Sequence, residues 1–182
     1  RNNLFFNART GGTGKHYAMG NEVGAQNWTT TSSDYNVYVS SNLNTIATWQ
    51  TADQTIQQWR DSSDGDKHTW STSSTTLSAA NLFIDIPGCN LKINTSSYEA
   101  WLVSGKGLAI AGQTTDYEGT SRPTTIAAGC SDIGCDELTA VPPNNPIATV
   151  DNPPGSGVTS TYTLWSRTLL SINWGTGGSS YP

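Results

Sequence analysis

Short runs in which apolar residues alternate with smaller or polar ones predict β-strands separated by turns. Residues 4–6 are an apolar run between asparagines, followed by a glycine-rich turn. Residues 35–39 alternate aromatic or β-branched side chains with smaller ones, and residues 82–86 and 91–93 repeat this pattern over shorter lengths. These runs predict an all-β body built from short strands.

One segment has the pattern of a short helix instead. Within residues 51–59 a Thr is followed three positions later by a Gln, which is a capping-box start, and Ile56 and Trp59 are an apolar pair at helical spacing. The pattern predicts a helix over residues 51–61 that covers the end or the flank of a sheet.

The end of the chain differs in composition from the rest. Five of the eight prolines fall between residues 139 and 157, among Asn, Gly and Ser, which predicts an extended linker. Residues 158–174 are a long β-prone stretch in which five apolar residues share one parity: Tyr162, Leu164, Leu170, Ile172 and Trp174. We therefore expect a body over residues 1–138, a Pro-rich linker over 139–157 and a C-terminal β segment over 158–182.

Composition supports strands and argues against several classes of function. Charged residues make up 13% of the 182 residues, against about 25% in ordinary domains, and Ser, Thr and Asn fill the difference. The net charge is -5 and no basic run is present, which argues against a nucleic-acid partner. No apolar window is long enough to predict a membrane span. We expect an extracellular or cell-surface protein.

The three cysteines leave one unpaired if any disulfide forms. Cys130 and Cys135 flank a four-residue segment that can turn, and pairing of either one with Cys89 is equally well supported, so the pairing stays open. The cysteines have no C-x-x-C element and the two histidines are far apart in sequence, so no zinc site is predicted.

Two N-x-S/T sequons make Asn27 and Asn94 candidate glycosylation sites. Such sequons also arise by chance in a Thr-rich chain, and O-linked sugars on the many Ser and Thr side chains are an alternative. Either modification would make the protein a glycoprotein.

Six segments carry motifs that occur in a fixed order: residues 1–7 (one coil), 33–38 ("SDYN"), 56–68 (a short helix ending in Trp, then Gly65-Asp66 and His68), 81–85 ("PLFVD"), 116–123 ("D-x-D-G-x-x-R-P") and 132–138 ("DIGADE"). In this order they resemble the motifs of right-handed parallel β-helix proteins with a pectate-lyase-like fold from bacterial surfaces of the Bacteroidetes type. Three residues depart from the usual motifs: Asn81 replaces Pro, Glu118 replaces Asp, and Cys135 replaces Ala.

The resemblance implies a fold and a location more than a chemistry. The expected fold is all-β: the terminal coils of a right-handed parallel β-helix with one short helix, a Pro-rich linker and a C-terminal extended β segment. Proteins of this kind are adhesins, surface-layer components or polysaccharide-handling proteins. Fold alone does not fix function.

Such a solenoid needs about three stacked coils and covered ends. An uncovered edge is therefore expected near Leu4, Phe5 and Phe6, and the C-terminal segment, with its five same-parity apolar residues, also needs a partner. Pairing of the tail of one subunit with the body of the next would give a head-to-tail homopolymer. The predicted function is an extracellular structural subunit that self-assembles into a fibre or surface layer for adhesion or matrix building. A tail that folds back onto its own chain has equal support.

Carbohydrate binding or polysaccharide cleavage by a β-helix fragment is the alternative function. The basic residues are scattered singly, and His16 and His68 have no carboxylate at suggestive spacing, so no catalytic residue is predicted. No cofactor is predicted either. Calcium is considered because several carboxylates could gather, but we expect the Asp side chains to cap turns and Asp116 or Glu118 to pair with Arg122. These carboxylates belong to Asp116, Glu118, Asp132, Asp136 and Glu137.

Overall fold

The computed structural model describes residues 1–23 and 33–140 together with the backbone of residues 147–149 and 161–163. The chain divides into two compact units, Arg1–Val141 and Pro142–Pro182. The strands of the first unit are β1 (Leu4–Asn7), β2 (Met19–Asn21), β3 (Val37–Ser40), β4 (Ala47–Trp49), β5 (Ala52–Gln54), β6 (Trp70–Ser73), β7 (Phe83–Asp85) and β8 (Asn90–Ile93). Its helices are α1 (Ile56–Ser63), α2 (Ala79–Leu82) and the 3₁₀ turns Leu43–Thr45, Tyr98–Leu102 and Ile126–Ala128.

The strands of this unit form three small sheets. In the first, β1, β3 and β6 are parallel, and Leu4, Val37 and Trp70 lie side by side at intervals of 33 residues. In the second, β2 pairs in parallel with β4, and β4 pairs antiparallel with β5. In the third, β7 and β8 form an antiparallel hairpin.

The prediction of terminal coils of a right-handed parallel β-helix is wrong. A solenoid needs parallel strands that stack coil after coil, whereas the strands of the first unit lie in separate sheets of three, three and two strands beside two helices. The parallel repeat ends after β6, where the chain forms α2 and an antiparallel hairpin, and β5 reverses direction against β4. None of the described sheets closes on itself or stacks into a solenoid.

Both faces of the central strand β3 are buried, as is usual for strands of a parallel sheet, whereas β1 and β6 are half-buried. Because side chains alternate along a strand, Val37 and Val39 face one apolar cluster, which includes Leu77, Leu82, Val103 and Ile133. Tyr38, between the two valines, faces a second cluster with Ile46, Ala47 and Trp59. The strand β3 is therefore the centre of the first unit.

A buried carboxylate joins this sheet to α1. Asp66 is fully buried, and its Oδ2 accepts hydrogen bonds from Tyr38 Oη at 2.7 Å and from Trp59 Nε1 at 2.8 Å. Its Oδ1 accepts from Ser33 Oγ, Asn36 Nδ2 and Thr69 Oγ1 at 2.9, 2.8 and 2.6 Å. Five side-chain donors from the loops before β3 and β6, from β3 itself and from α1 therefore converge on one anion.

The predicted helix begins later than expected. The helix α1 starts at Ile56, and Thr55 and Gln58 form the reciprocal capping box at its N-terminus. Upstream, Gln50 and Thr51 have φ of 48° and 74° and form the two-residue turn between β4 and β5. Left-handed residues at both central positions are typical of hairpin turns. The chain has two successive T-x-x-Q sequences, and the first, residues 51–54, therefore lies in a hairpin, whereas the second, residues 55–58, caps the helix.

Substituting the two threonines separately tests this assignment. Thr55→Ala removes the side-chain cap of α1 and is expected to lower the free energy of unfolding by about 1 kcal/mol. Thr51→Ala leaves the left-handed backbone with a β-carbon as before and is expected to change it by less than about 0.5 kcal/mol. Urea unfolding followed by circular dichroism measures both values. Equal losses would contradict the capping role of Thr55.

The second unit contains β9 (Ile147–Thr149) and β10 (Thr161–Thr163), which pair antiparallel. The strand β9 lies within the segment predicted as a linker, and β10, which includes Tyr162, lies within the segment predicted as C-terminal β structure. The other predicted contact residues of this segment lie outside the described residues: Leu164, Leu170, Ile172 and Trp174.

Candidate functional site

A groove of about 500 Å³ runs beside β1. Its apolar wall comes from β1 and the β7–β8 hairpin, and its polar end includes Arg1, Arg122 and Asp136. The apolar wall consists of Leu4, Phe5, Phe83, Leu91 and Ile93.

The free edge of β1 borders this groove. Asn3 O accepts a hydrogen bond from Val37 N at 2.8 Å, so alternate residues of β1 face β3 and the backbone groups of Leu4 and Phe6 face away from it. Gly134 N donates to Asn2 O at 2.8 Å and covers the edge just before the strand. Among the described residues, β1 has a strand partner on the β3 side only. The edge is therefore open at Leu4 and Phe6.

The side chains of Leu4, Phe5 and Phe6, which were predicted to contact another subunit, are only partly available. Leu4 and Phe6 pack against the apolar cluster around Val37, and Phe5 packs edge-to-face on Tyr38 with ring centroids 5.4 Å apart. All three are half-buried. Any partner at this edge would therefore meet the β1 backbone first.

The most exposed apolar side chain of the groove is Leu91 in β8, at 59% exposure. On the neighbouring strand β7, Ile84 is 54% exposed but does not line the groove. These two residues are alike in size, exposure and type of element. They differ in whether they line the groove.

At the polar end of the groove, Arg122 contacts Gly134 and Glu137. Its guanidinium donates from Nη2 to Gly134 O at 3.0 Å, and its Nε lies 3.4 Å from Glu137 Oε1, an ionic contact longer than a good hydrogen bond. Burial raises the pKa of Glu137, although the backbone N–H of Asp132 and the charge of Arg122 act in the opposite direction. The expected pairing of Arg122 with Asp116 or Glu118 is not observed, because Arg122 contacts Glu137 and Glu118 pairs with Lys92.

Three of the five carboxylates considered for calcium accept hydrogen bonds from backbone N–H groups: Asp116, Asp132 and Glu137. Asp116 accepts from the backbone of Glu137 and Thr120 at 2.8 and 2.7 Å, and these bonds lower its pKa although burial acts against them. Asp132 accepts from the backbone of Leu138 at 2.6 Å and of Gly105. Within residues 1–23 and 33–140, no group of three or more His, Cys, Asp and Glu side chains is arranged to hold a metal ion.

Chelation tests the structural role of these carboxylates. We expect excess EDTA to shift the midpoint of thermal unfolding by less than about 1 °C, because the oxygens of Asp116 and Asp132 are already satisfied by amides. Added calcium should likewise leave the midpoint unchanged. A stabilisation that rises with calcium concentration would contradict this assignment, since a ligand that binds the native state raises its stability by mass action.

The modification candidates lie on the surface where they are described. Cys89, Cys130 and Cys135 are exposed, and none of them is bonded to another cysteine in this structure. The Asn94 Oδ1 accepts a hydrogen bond from Ser96 N at 3.2 Å within its own sequon. Asn27 lies outside the described residues. Disulfide formation and glycosylation stay predictions.

A second arrangement, which the sequence did not predict, pairs His68 with Asp34. His68 Nδ1 lies 2.7 Å from Asp34 Oδ2, and the two side chains are 59% and 2% exposed. The two residues are 34 positions apart, one more than the 33-residue offset between paired residues of β3 and β6. Both residues lie in segments that resemble β-helix motifs, but it is the parallel register of β3 and β6 that brings them together.

Comparison with known proteins adds no relative. The chain matches no protein-family model, no curated protein and no solved structure. The resemblance to bacterial β-helix proteins therefore rests on its six motifs alone, and the fold that it implied is not the one observed. In the described part of the chain, no helix has the length and apolar character needed to cross a membrane.

Proposed function

We propose that this chain is an extracellular structural subunit that self-assembles by strand addition at β1, into a fibre or surface layer with a role in adhesion or matrix building. The observation that supports the proposal is the open edge of β1 beside an apolar groove. The proposal does not need stacked coils. Carbohydrate binding or cleavage, the alternative function, stays a prediction from the sequence.

An open edge of this kind favours an added strand. The backbone groups of Leu4 and Phe6 that face away from β3 offer two donors and two acceptors to a further strand. In strand addition, such main-chain bonds supply affinity and neighbouring pockets select alternate side chains. The wall formed by Phe83, Leu91 and Ile93 would take the apolar side chains of the incoming strand.

The occupant that we propose is the segment 158–174 of a second copy. In this segment five apolar residues share one parity, Trp165 and Leu169 have the other, and Arg167 is the only charged residue, which suits an apolar wall. The second unit carries a hairpin of two three-residue strands, β9 and β10, and hairpins of that size are marginally stable without a further strand or a packed face. Joining the tail of one copy to β1 of the next would give the open edge of β1 a strand partner and would give the short β9–β10 pair a further strand.

Such a contact joins two different surfaces. It is therefore heterologous, and unless the rotation between subunits closes a ring it continues into an open filament. The low charge content of 13% limits repulsion between closely packed copies. The low charge content, the open edge of β1 and the largely apolar segment 158–174 therefore all favour assembly from identical subunits.

The deciding experiment compares the full chain with a chain that ends at Gly157. We expect sedimentation velocity and electron microscopy to give polymers for the full chain and a monomer for the shortened one. A synthetic peptide of residues 158–174 should then bind the shortened chain one to one. A full chain that is monomeric at high concentration would instead support a tail that folds back, and a shortened chain that assembles as before would refute the role of the tail.

Leu91 provides a point test of the groove. Leu91→Lys is expected to weaken subunit association about tenfold or more, because burying a leucine is worth about 1.5–3 kcal/mol. Ile84→Lys, in the adjacent strand and outside the groove, is the matched control and should leave association unchanged. The concentration dependence of sedimentation measures both. Equal weakening by the two substitutions would place the interface elsewhere.

A further inference from the structure

We propose that Asp34 and His68 form a proton-transfer site, in which His68 Nε2 acts as a general base that activates water for the cleavage of small acyl esters. This activity is separate from assembly at β1. It rests on the placement of one imidazole by one buried carboxylate, beside a stacked tyrosine.

The carboxylate of Asp34 holds the histidine at two points. Its Oδ1 accepts a hydrogen bond from His68 N at 2.7 Å, and its Oδ2 lies 2.7 Å from His68 Nδ1. The same Oδ1 also accepts from Tyr35 N at 3.0 Å. Because both the main chain and the ring of His68 are bound to one buried group, the ring orientation is fixed before any ligand arrives.

The same contact sets the tautomer. A carboxylate can only accept hydrogen bonds, so Nδ1 carries the proton and the lone pair of the neutral ring is on Nε2. Within the described residues, no hydrogen-bond partner contacts Nε2, and 59% of the side chain is exposed. The basic nitrogen is therefore presented to solvent, with the ring held from its other side by the buried carboxylate of Asp34.

Tyr35 fixes the plane of the ring. The rings of Tyr35 and His68 are stacked, with centroids 4.7 Å apart and planes 15° apart. Tyr35 has φ of 54°, a left-handed conformation that is costly for a residue with a bulky side chain. The loop before β3 therefore holds Tyr35, the residue that stacks on the imidazole, in a strained backbone conformation.

The other histidine of the chain lacks this arrangement. His16 Nε2 lies 2.9 Å from Gly11 O, and within residues 1–23 and 33–140 no acidic side chain contacts its ring. His16 is therefore an internal control for His68, since a chain with two histidines carries one oriented by a carboxylate and one that is not.

The reaction balances without a metal or a further cofactor. His68 Nε2 takes a proton from water as the water oxygen bonds to the acyl carbon. The tetrahedral intermediate then expels the alcohol oxygen, which receives the proton from the imidazolium. One ester and one water give one carboxylic acid and one alcohol, and the neutral imidazole is restored.

The first test uses the full chain and ethyl dichloroacetate in a pH-stat. We expect wild type to hydrolyse the ester at least about tenfold faster than His68→Gln, at the low end of what a positioned base contributes. His16→Gln should equal wild type. Free imidazole should restore hydrolysis to His68→Gly, a rescue that a purely structural histidine would not give. Equal rates for wild type and His68→Gln would overturn the proposal.

The second test measures the orientation by Asp34 and does not require a variant. Diethyl pyrocarbonate modifies an imidazole nitrogen that has a free lone pair. Because His16 Nε2 lies 2.9 Å from Gly11 O whereas His68 Nε2 faces solvent, peptide mass spectrometry should find His68 modified several-fold faster than His16 in the wild-type chain. In Asp34→Asn that retains its circular dichroism spectrum, the ratio should approach one. A wild-type ratio of one or below would refute the inference, even if Asp34→Asn does not fold.

Discussion

Asp66→Asn is expected to lower the free energy of unfolding of the first unit by about 3 kcal/mol or more, because hydrogen bonds to a charged group are worth about 1.5–3 kcal/mol each and five converge here. The substitution keeps the shape of the side chain but points an amide NH₂ at donors. Trp59 Nε1 donates to one oxygen and Asn36 Nδ2 to the other, and neither nitrogen can accept, so one buried donor loses its partner whichever way the amide is turned. Urea unfolding followed by far-UV circular dichroism measures the change.

A control for this substitution lies two residues away. Asp64 is 69% exposed, pairs with Lys67 at 3.2 Å and has a left-handed backbone that Asn tolerates. Asp64→Asn is expected to cost less than about 1 kcal/mol, as exposed ion pairs do. Similar losses for the two variants would mean that the network around Asp66 does not stabilise the unit.

The same carboxylate predicts how stability depends on pH. Burial would raise the pKa of Asp66, but the hydrogen bonds from Thr69, Trp59, Tyr38 and Asn36 outweigh it and hold the pKa below its usual value. A depressed native pKa gives a stabilisation that is fully present above the unfolded value of about 3.9 and is lost as pH falls through the native pKa. The free energy of unfolding of Asp66→Asn should therefore fall less than that of wild type below about pH 4.

Local patterns predicted the positions of several elements, because strand alternation and helix capping depend on neighbours in sequence. The strands β1, β3, β7 and β8 lie where alternation placed them, within one or two residues. The start of α1 was predicted too early because two T-x-x-Q sequences follow each other, and only the chain reversal at Gln50 and Thr51 distinguishes them. The residues next to Gln50 and Thr51 in the sequence do not predict this chain reversal.

Pairing between distant strands was not predictable in the same way. Alternation tells which side chains share a face, but not which strand lies beside which, so the approach of Asp34 to His68 could not be inferred. An uncovered edge near residues 4–6 was expected, but from the solenoid that the resemblance implied and not from alternation. The ordered motifs suggested coils of a solenoid. Motif order does not require the strands to stack, and here the chain turns to antiparallel pairs after β6.

Trp59→Ala is expected to destabilise the first unit by about 3–5 kcal/mol, since it removes a fully buried aromatic side chain and leaves a cavity. The indole lies edge-to-face with Tyr38 and Trp49, with ring centroids 6.3 and 5.5 Å apart, so its loss exposes partners in β3 and β4 at once. Circular dichroism in a urea series measures the loss.

Trp59→Phe separates the packing of this side chain from its hydrogen bond. It keeps most of the ring contacts but removes the N–H that donates to Asp66 Oδ2, and is expected to cost about 1–3 kcal/mol. Combined with Asp66→Asn, the loss should be smaller than the sum of the single losses by about 1 kcal/mol, because both remove the same bond. Additive losses would show that the hydrogen bond from Trp59 to Asp66 does not stabilise the packing of α1 and that the buried carboxylate acts on the loops before β3 and β6.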